Sequence, residues 1–357
     1  KSIRCCKQML HEKVLADGQK EQLETWLSAA RRVVVTCHVG PDGDAVGSVT
    51  AMVGLLEKQG KEAVGVVPNV FPRNLYTASG ADRLVVFEED ADRAQTLIAG
   101  ADLVLCLDYN ALHRTGDRMA VVMRACRAPR VMMDHHLEPE ESDFSMLVSQ
   151  PEMCSTCEVL LHVVSEMGWL PMLDADIASS IYLGMMTDTG AFSYASNRGE
   201  VFRCVALLLD RGIDKDRIYR NIFWGASDSR MRAMGYLLYV NMKLMKKLHT
   251  SIITMTNQEW RRFYLKTGDT EGFVNLPLQI EGIRLSIFLR EDPDVPGKIR
   301  VSTRSVDDVP CNLLAQEYFN GGGHKNAAGG SLMCTMDEAV EHVKRSLQKF
   351  QDYLKNG

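Results

Sequence analysis

The sequence predicts an α/β protein, with a parallel-sheet domain in its N-terminal part joined by a helical linker to a smaller α+β domain. Three observations predict it. Short apolar or β-branched runs alternate with helical patterns from about residue 21 to residue 186, the rhythm of βα units feeding a parallel sheet. One run, Leu103-Val104-Leu105-Cys106-Leu107, is apolar at every position, as expected of a strand buried on both faces. The rhythm changes after about Leu244, where strand patterns at 251–256, 284–289 and 298–303 are interrupted by 259–265 and 312–319.

Residues 21–30 read as a helix before the first strand, 33–37. A helix at 45–59 is stopped by Gly60, and a second strand, 63–67, is ended by Pro68-Asn69. Residues 74–80 read as loop or a short helical turn, 84–87 as a short strand and 91–98 as a helix. The central strand 103–108 precedes a helix at 117–127. The next strand, Val131-Met132-Met133, runs into Asp134-His135-His136. Helices at 155–167 and 175–186 follow, the second leading into Thr187-Asp188-Thr189-Gly190. Helical patterns at 200–210, 214–223 and 227–240 close the domain. The expected division is 1–225, a linker at 226–245, and 246–357.

Composition narrows the function. Of 357 residues, 46% are hydrophobic and 24% charged, ordinary for a soluble globular protein. The net charge is −5 and there is no basic stripe, so a stable partnership with long nucleic acid, held through many phosphates, is not expected. Short anionic ligands are. The ten cysteines are scattered, several in apolar runs (Cys106, Cys126, Cys204), which suits reduced core thiols in a cytoplasmic protein. No apolar run approaches a membrane span, and Lys1 to Lys7 lack the apolar core of a signal peptide. Because the first residue is a lysine, residues preceding it are expected.

The chemistry gathers at strand ends. His38, Asp42 and Asp44 follow the first strand on the turn Cys37-His38-Val39-Gly40-Pro41-Asp42-Gly43-Asp44. Asp108 ends a middle strand, and Asp134, His135 and His136 follow another. A parallel sheet carries all its C-terminal strand ends on one edge, so residues roughly 100 positions apart can meet there, and Asp188 needs only a turn to join them. A lone strand-end aspartate is usually a turn or a cap, and Asp44 can simply cap its helix. Four such clusters on one edge outweigh that reading. Oxygen and imidazole donors without thiolates favour Mn²⁺ or Mg²⁺ over structural zinc. Six candidates suit two ions about 3.5–4 Å apart with a shared carboxylate, a pair able to activate water and clamp an in-line displacement at phosphorus. Gly43 is expected to let the turn tighten so that Asp42 and Asp44 face neighbouring ions.

These residues resemble the DHH phosphoesterase superfamily, named for the motif present as Asp134-His135-His136. His38 to Ser48 matches its first motif, Asp108 with Asn110 and Arg114 the second, Ser155-Thr156-Cys157-Glu158 the third, and Thr187 to Phe192 the fourth. Gly321-Gly322-Gly323-His324, with Arg304-Ser305 upstream, resembles the DHH-associated C-terminal domain. The resemblance covers about residues 20–345. It implies one metal on His38, Asp42 and Asp108, and a second on Asp44, Asp108, His135 and Asp188, with Asp108 bridging. It makes Asp134 an orienting residue and places His136 by the scissile phosphate as the catalytic side chain beside Asp108. Substrate binding falls to Arg304, Gly321, Gly322, Gly323, His324, Asn110 and Arg114, with the active site in the cleft between the domains. Successive glycines let a backbone approach an anion closely, and Arg304 offers a fork suited to phosphate.

Within the superfamily, the chain lacks the basic C-terminal motif of type II pyrophosphatases, the membrane and sensory regions of bound cyclic-di-AMP phosphodiesterases, and the extra domains of RecJ-type exonucleases. It is similar to the stand-alone oligoribonuclease (nanoRNase) and pAp-phosphatase group. The implied activity is hydrolysis of short oligoribonucleotides or dinucleotides (pApA, pGpG) and pAp to 5′-mononucleotides, with two divalent ions, Mn²⁺ first and Mg²⁺ or Co²⁺ as alternatives. A cytoplasmic cyclic-dinucleotide phosphodiesterase acting on c-di-AMP is the runner-up. A nucleotide-binding protein with a vestigial metal site is the reading from another class. A homodimer is kept open. The Cys154-x-x-Cys157 pair and the many methionines are read as structural, Lys246-Lys247 and Arg261-Arg262 as solvated faces, and His11, His113, His162, His249 and His342 as core or surface residues.

Overall fold

The structure, a computed structural model, describes residues 10–224, 226–266 and 268–355. The side chain of His324 and the segment Lys1–Lys7 lie outside the described residues. The chain divides into two compact units, Lys1–Gly225 and Ala226–Gly357.

The first unit carries six parallel strands: β1 (Arg32–Thr36), β2 (Glu62–Val67), β3 (Val85–Val86), β4 (Leu103–Leu107), β5 (Arg130–Asp134) and β6 (Met146–Ser149), in the order β3-β2-β1-β4-β5-β6. Its helices are α1 (Gln19–Ala29), α2 (Gly43–Lys58), α3 (Ala91–Ala99), α4 (Asp117–Ala125), α5 (Thr156–Glu166), α6 (Ala175–Asp188), α7 (Gly199–Leu209) and α8 (Lys215–Phe223). The sheet is buried on both faces. Val33, Val35, Leu103, Leu105, Leu107 and Met133 pack with α2, α5 and α6, while Val34, Val104, Cys106 and Met132 pack with α3 and α4. That explains the unbroken apolar run in β4, where each buried large side chain contributes about 1.5–3 kcal/mol. Helix α2 stops as expected: Gly60 takes φ +76°, the Gly60 amide bonds Glu57 O and the Lys61 amide bonds Leu56 O, the Schellman pattern. The strand expected at 84–87 is reduced to two residues, because Leu84 still belongs to the preceding turn and the amides of Glu89 and Asp90 fold back onto Val86 O, turning the chain at Phe87.

The second unit carries β7 (Lys243–Met245), β8 (Thr250–Met255), β9 (Leu285–Glu291), β10 (Lys298–Ser305), β11 (Gly322–His324) and β12 (Ala327–Met333), in the order β11-β12-β10-β9-β8-β7. Only β8 and β9 run parallel; the other pairs are antiparallel. Helices α9 (Asp228–Tyr236), α10 (Asn257–Arg262), α11 (Cys311–Tyr318), α12 (Met336–Lys349) and the short α13 (Gln351–Lys355) pack with it. One face of the sheet packs Ile287, Leu289, Ile299 and Val301 against α11 and α12. The other packs Ile253, Met255 and Phe288 with Ala233, Leu237 and Phe273. Residues 226–245, read from the sequence as a linker, hold α9, a π-helical turn (Leu237–Asn241) and edge strand β7.

No helix among the described residues is long and apolar enough to cross a membrane.

Candidate active site

The strand order reverses between β1 and β4, so the C-terminal ends of these strands open a crevice. His38 lies two residues past β1. Its Nδ1 faces Val39 O at 2.9 Å, which turns Nε2 toward Asp108 Oδ2 at 3.3 Å and Asp42 Oδ2 at 3.8 Å. Asp42, not Asp44, caps α2: its Oδ1 accepts from the amides of Asp44 at 3.0 Å and Ala45 at 3.1 Å. The helix starts at Gly43, so Asp44 falls in the first turn and points inward. Gly43 is needed for a different reason from the one expected. It has no positive φ, but a Cβ there would lie 2.3 Å from Thr187 Oγ1. Close crossing by α6 demands the glycine.

Asp44 is 1% exposed. Its Oδ2 accepts from Thr156 N–H at 2.6 Å and its Oδ1 from Cys157 N–H at 2.9 Å, so the free amides of α5 hold the carboxylate. Asp108 has φ +64° and its amide donates to Met133 O at 3.1 Å. Its Oδ1 accepts from Thr156 Oγ1 at 3.0 Å and lies 3.8 Å from His135 Nε2 and 3.8 Å from His136 Nδ1. Its other oxygen faces His38. His135 Nε2 in turn lies 3.2 Å from Asp188 Oδ2.

Two candidate ligand groups result. Donor atoms of His38, Asp42 and Asp108 all lie within 4.8 Å of one another, as do those of Asp44, His135 and Asp188. Asp108 reaches His135 and His136 in a third such set and so joins the two groups. Asp134 stands behind them, fully buried, its Oδ1 accepting from His136 Nδ1 at 2.8 Å. Its Oδ2 is buried with no partner.

The cluster is charged beyond what the polypeptide neutralises. Burial pushes Asp44 well above the usual carboxylate range, with Asp108 and Asp188 adding to it. Burial, then Asp108 and Asp42, push Asp188 up to about 8. Burial works against a proton on His38, but hydrogen bonds to Asp108 and Asp42 outweigh it and hold the imidazole at about 11. Protons held on His38, Asp44 and Asp188 stand where divalent cations would relieve the same repulsion, and these oxygen and imidazole donors fit such ions.

The expected substrate-binding residues are placed less uniformly. Asn110 Nδ2 donates to Leu137 O at 2.6 Å, and Asn110 O accepts from Glu140 N–H, so it pins the segment after His136. Arg114 O accepts from Val39 N–H at 2.8 Å, and its charge acts on His136. In the second unit Arg304 Nη1 donates to Thr303 O at 2.9 Å. A Cβ on Gly321 would lie 1.8 Å from Gly329 O, and one on Gly323 (φ +141°) 2.5 Å from Ala327 O. Both glycines are required by β11 packing on β12, whereas the sequence suggested anion approach. At Gly322 a Cβ would meet nothing nearer than Gln316 Cγ at 3.8 Å.

Sequence reasoning gave no role to Thr156, whose hydroxyl also lies 3.5 Å from Asp134 Oδ1. The signal was there. Ser155-x-x-Glu158 is a helix-start pattern, and Ser155 Oγ accepts from Glu158 N–H at 3.0 Å, which puts Thr156 and Cys157 at the open end of α5.

The family model described as DHH family, N-terminal domain, matches residues 32–185, and the DHHA1 domain matches residues 244–356. A Thermus thermophilus protein named bifunctional oligoribonuclease and PAP phosphatase NrnA is 29% identical over 322 residues, covering 89% of each chain. A Bacillus subtilis protein of the same name is 23% identical, over 90% of this chain and 95% of its own. The crystal structure of an exopolyphosphatase-related protein from Bacteroides fragilis matches with a TM-score of 0.93 at 41% identity, covering 97% of this chain and 100% of that one.

Proposed function

The chain belongs to the DHH family, with a DHHA1 domain, and is a metal-dependent hydrolase of phosphoester bonds; from that premise we propose that it hydrolyses short oligoribonucleotides, dinucleotides such as pApA and pGpG, and pAp to 5′-mononucleotides. The observation that carries this reading is the pair of ligand groups sharing Asp108. The substrate class is supported by the names of relatives aligned over most of the chain. In this reading His38, Asp42 and Asp108 hold one divalent ion, and Asp44, Asp108, His135 and Asp188 hold another, with Mn²⁺ the metal we propose. Two such ions, when bound, supply an activated water and neutralise charge on the phosphoryl oxygens.

The rest is done by the chain's own side chains. Asp134 accepts the Nδ1–H of His136 and thereby raises the imidazole's affinity for a proton, against its burial. The charged ring then offers Nε2–H to a phosphoryl oxygen or to the leaving oxygen. Asp134 is a positioning residue of the kind that histidines at metal sites use. In this reading Arg304 and the half-buried backbone at Gly322 take the terminal phosphate, and Arg114 adds a cation beside His136.

The test is a Mn²⁺ activity panel on pAp, pApA, pGpG, longer RNA, c-di-AMP, pyrophosphate and polyphosphate. Turnover of pApA, pGpG and pAp to mononucleotides, lost in Asp108→Ala, is expected. Preference for c-di-AMP, pyrophosphate or polyphosphate overturns the substrate assignment. Full Mn²⁺-dependent hydrolysis of pApA by Asp108→Ala overturns the site.

A further inference from the structure

Trp260-Arg261-Arg262-Phe263-Tyr264-Leu265-Lys266 interleaves three cations with three rings in a chain of net charge −5. From the sequence its arginines read as a solvated face. In the structure the Arg262 guanidinium lies 5.1 Å from the Tyr236 ring centre and 5.5 Å from that of Phe263, and Arg290 lies 5.0 Å from that of Trp260. Neither arginine has a carboxylate partner among the described residues. Arg290 is half-buried, its Nη1 donating to Thr270 Oγ1 at 3.2 Å. Burial and then the neighbouring Arg300 weigh against its charge, and Asp292, whose carboxylate is already bonded to Arg300, offsets them only in part, so an added phosphate would relieve this position. Tyr264 is 84% exposed at φ +53°.

The sheet connects this corner to Arg304. Across β9 and β10, Arg300 pairs with Arg290, Ser302 with Phe288 and Arg304 with Ser286. Strand alternation therefore puts Arg290, Ser302 and Arg304 on one face, opposite Ile299 and Val301. Ser302 and Arg304 are half-exposed. Four residues of antiparallel strand, about 14 Å, separate the Arg304 row from the Arg290 row. That is farther than the step between successive phosphates.

We propose that this strip is the track for the distal part of a single-stranded oligonucleotide longer than a dinucleotide, with a phosphate at Arg290 and a base stacked at Arg262 and Tyr264. The inference rests on the oligonucleotide reading above. Guanidinium groups on aromatic rings supply a cation for the backbone and a π-face for the base, the pairing that single-strand binding uses. A dinucleotide held at Arg304 falls short of it, so the track sets preference for length.

The test compares kcat/KM for pApA and for a pentaribonucleotide, in Mn²⁺ and at several salt concentrations, for wild type, Arg290→Gln and the double variant Arg262→Ala/Tyr264→Ala, with Tm measured for each. In the double variant the ratio of pentamer to pApA kcat/KM falls about tenfold, through KM, as one lost base–aromatic stack predicts. In Arg290→Gln the salt slope of pentamer binding falls by about 0.7, one phosphate contact on a single strand. The exposed double variant keeps the test decisive if Arg290→Gln folds poorly. An unchanged ratio in an enzyme that cuts both substrates overturns the track and leaves this surface to an acidic protein partner. A wild type that cuts neither RNA overturns the oligonucleotide reading and the track with it.

Discussion

Thr156→Val removes one hydroxyl and keeps the side chain's volume. That hydroxyl donates to Asp108 Oδ1 at 3.0 Å and lies 3.5 Å from Asp134 Oδ1, so the first contact is a full hydrogen bond and the second is marginal. Both carboxylates are buried, at 2% and 0% exposure. A hydrogen bond to a buried charged group is worth about 1.5–3 kcal/mol. The Thr156 amide, which holds Asp44, is main chain and survives the change. A carboxylate without this donor is more basic and, alone, a stronger ligand. Here it is also free to turn, and Asp108 must aim one oxygen at each ligand group, so lost orientation dominates. The expected result is about 10–100-fold weaker divalent metal binding. Calorimetric titration of chelated protein with Mn²⁺ measures it. Thr156→Ser keeps the hydroxyl and restores most of the affinity. A valine variant within twofold of wild type, or a serine variant as weak as valine, refutes the reasoning.

The remaining predictions concern protonation and close packing. Unfolded Asp188 loses its proton near 3.8 but folded Asp188 keeps it to about 8, and His38 behaves likewise between 6.5 and about 11. The folded metal-free state thus binds more protons than the unfolded one, and its stability falls as pH rises through those windows. A divalent ion displaces the protons, so the Tm gain on adding Mn²⁺ to chelated protein grows from about pH 5 to about pH 8; a flat or shrinking gain in scanning fluorimetry contradicts this. Gly47→Ala places a Cβ 2.4 Å from Ser180 O and 3.1 Å from Gly184 N, main-chain atoms that cannot rotate away. Overpacking of about 1–3 kcal/mol is only partly offset by about 1 kcal/mol of helix propensity, so the net loss is at most about 2 kcal/mol and Tm falls by no more than several degrees. A shift of roughly 1 Å between Asp44 and Asp188 nevertheless lowers kcat about 100-fold, and wild-type kcat would refute the shift. Gly321→Ala lowers Tm by several degrees, because the β11–β12 hairpin must open, while Gly322→Ala leaves it unchanged; equal effects on the two melting curves would show that this packing account is wrong.

The clustering of the candidate ligands was legible because the chemistry of a side chain is local and a parallel sheet gathers its strand ends. Asp108 and Asp134-His135-His136 could be placed on one edge from the apolar runs before them. The supports of those ligands were not legible, because they come from contacts between elements distant in sequence. Gly43 carries no side chain because Thr187 occupies that space, and Gly184 because Cys157 and Asp44 do, and nothing in the motif names these neighbours. The fold shows the same division. Strands β1, β2, β4 and β5 are dense in Val, Leu and Met and stand out. Strand β6 does not, since Met146-Leu147-Val148 is a short edge segment with only Met146 and Val148 buried. Strand β12 reads Ala-Ala-Gly-Gly-Ser-Leu-Met, weak in strand propensity. Its glycines answer a tertiary demand: a Cβ on Gly330 would lie 2.2 Å from Phe319 O.

Why Asp108 faces both candidate groups follows from strand order. His38 hangs from β1, Asp108 from β4 and His135 from β5, three neighbours in the sheet with β4 in the middle. A residue at the end of the central strand can face both sides at once; one at the end of β1 or β5 cannot. The backbone is bent to achieve it. A non-glycine φ of +64° costs roughly 1–2 kcal/mol, and Asp108 is held there by its amide on Met133 O and its carboxylate on Thr156. Glycine would adopt the turn without strain and bring no carboxylate. Asp42 and Asp44, two residues apart, can serve different groups because α2 starts between them, leaving Asp42 at the cap and turning Asp44 into the core. The division into two groups joined at one point is thus set where β1, β4, β5 and the first turn of α2 converge.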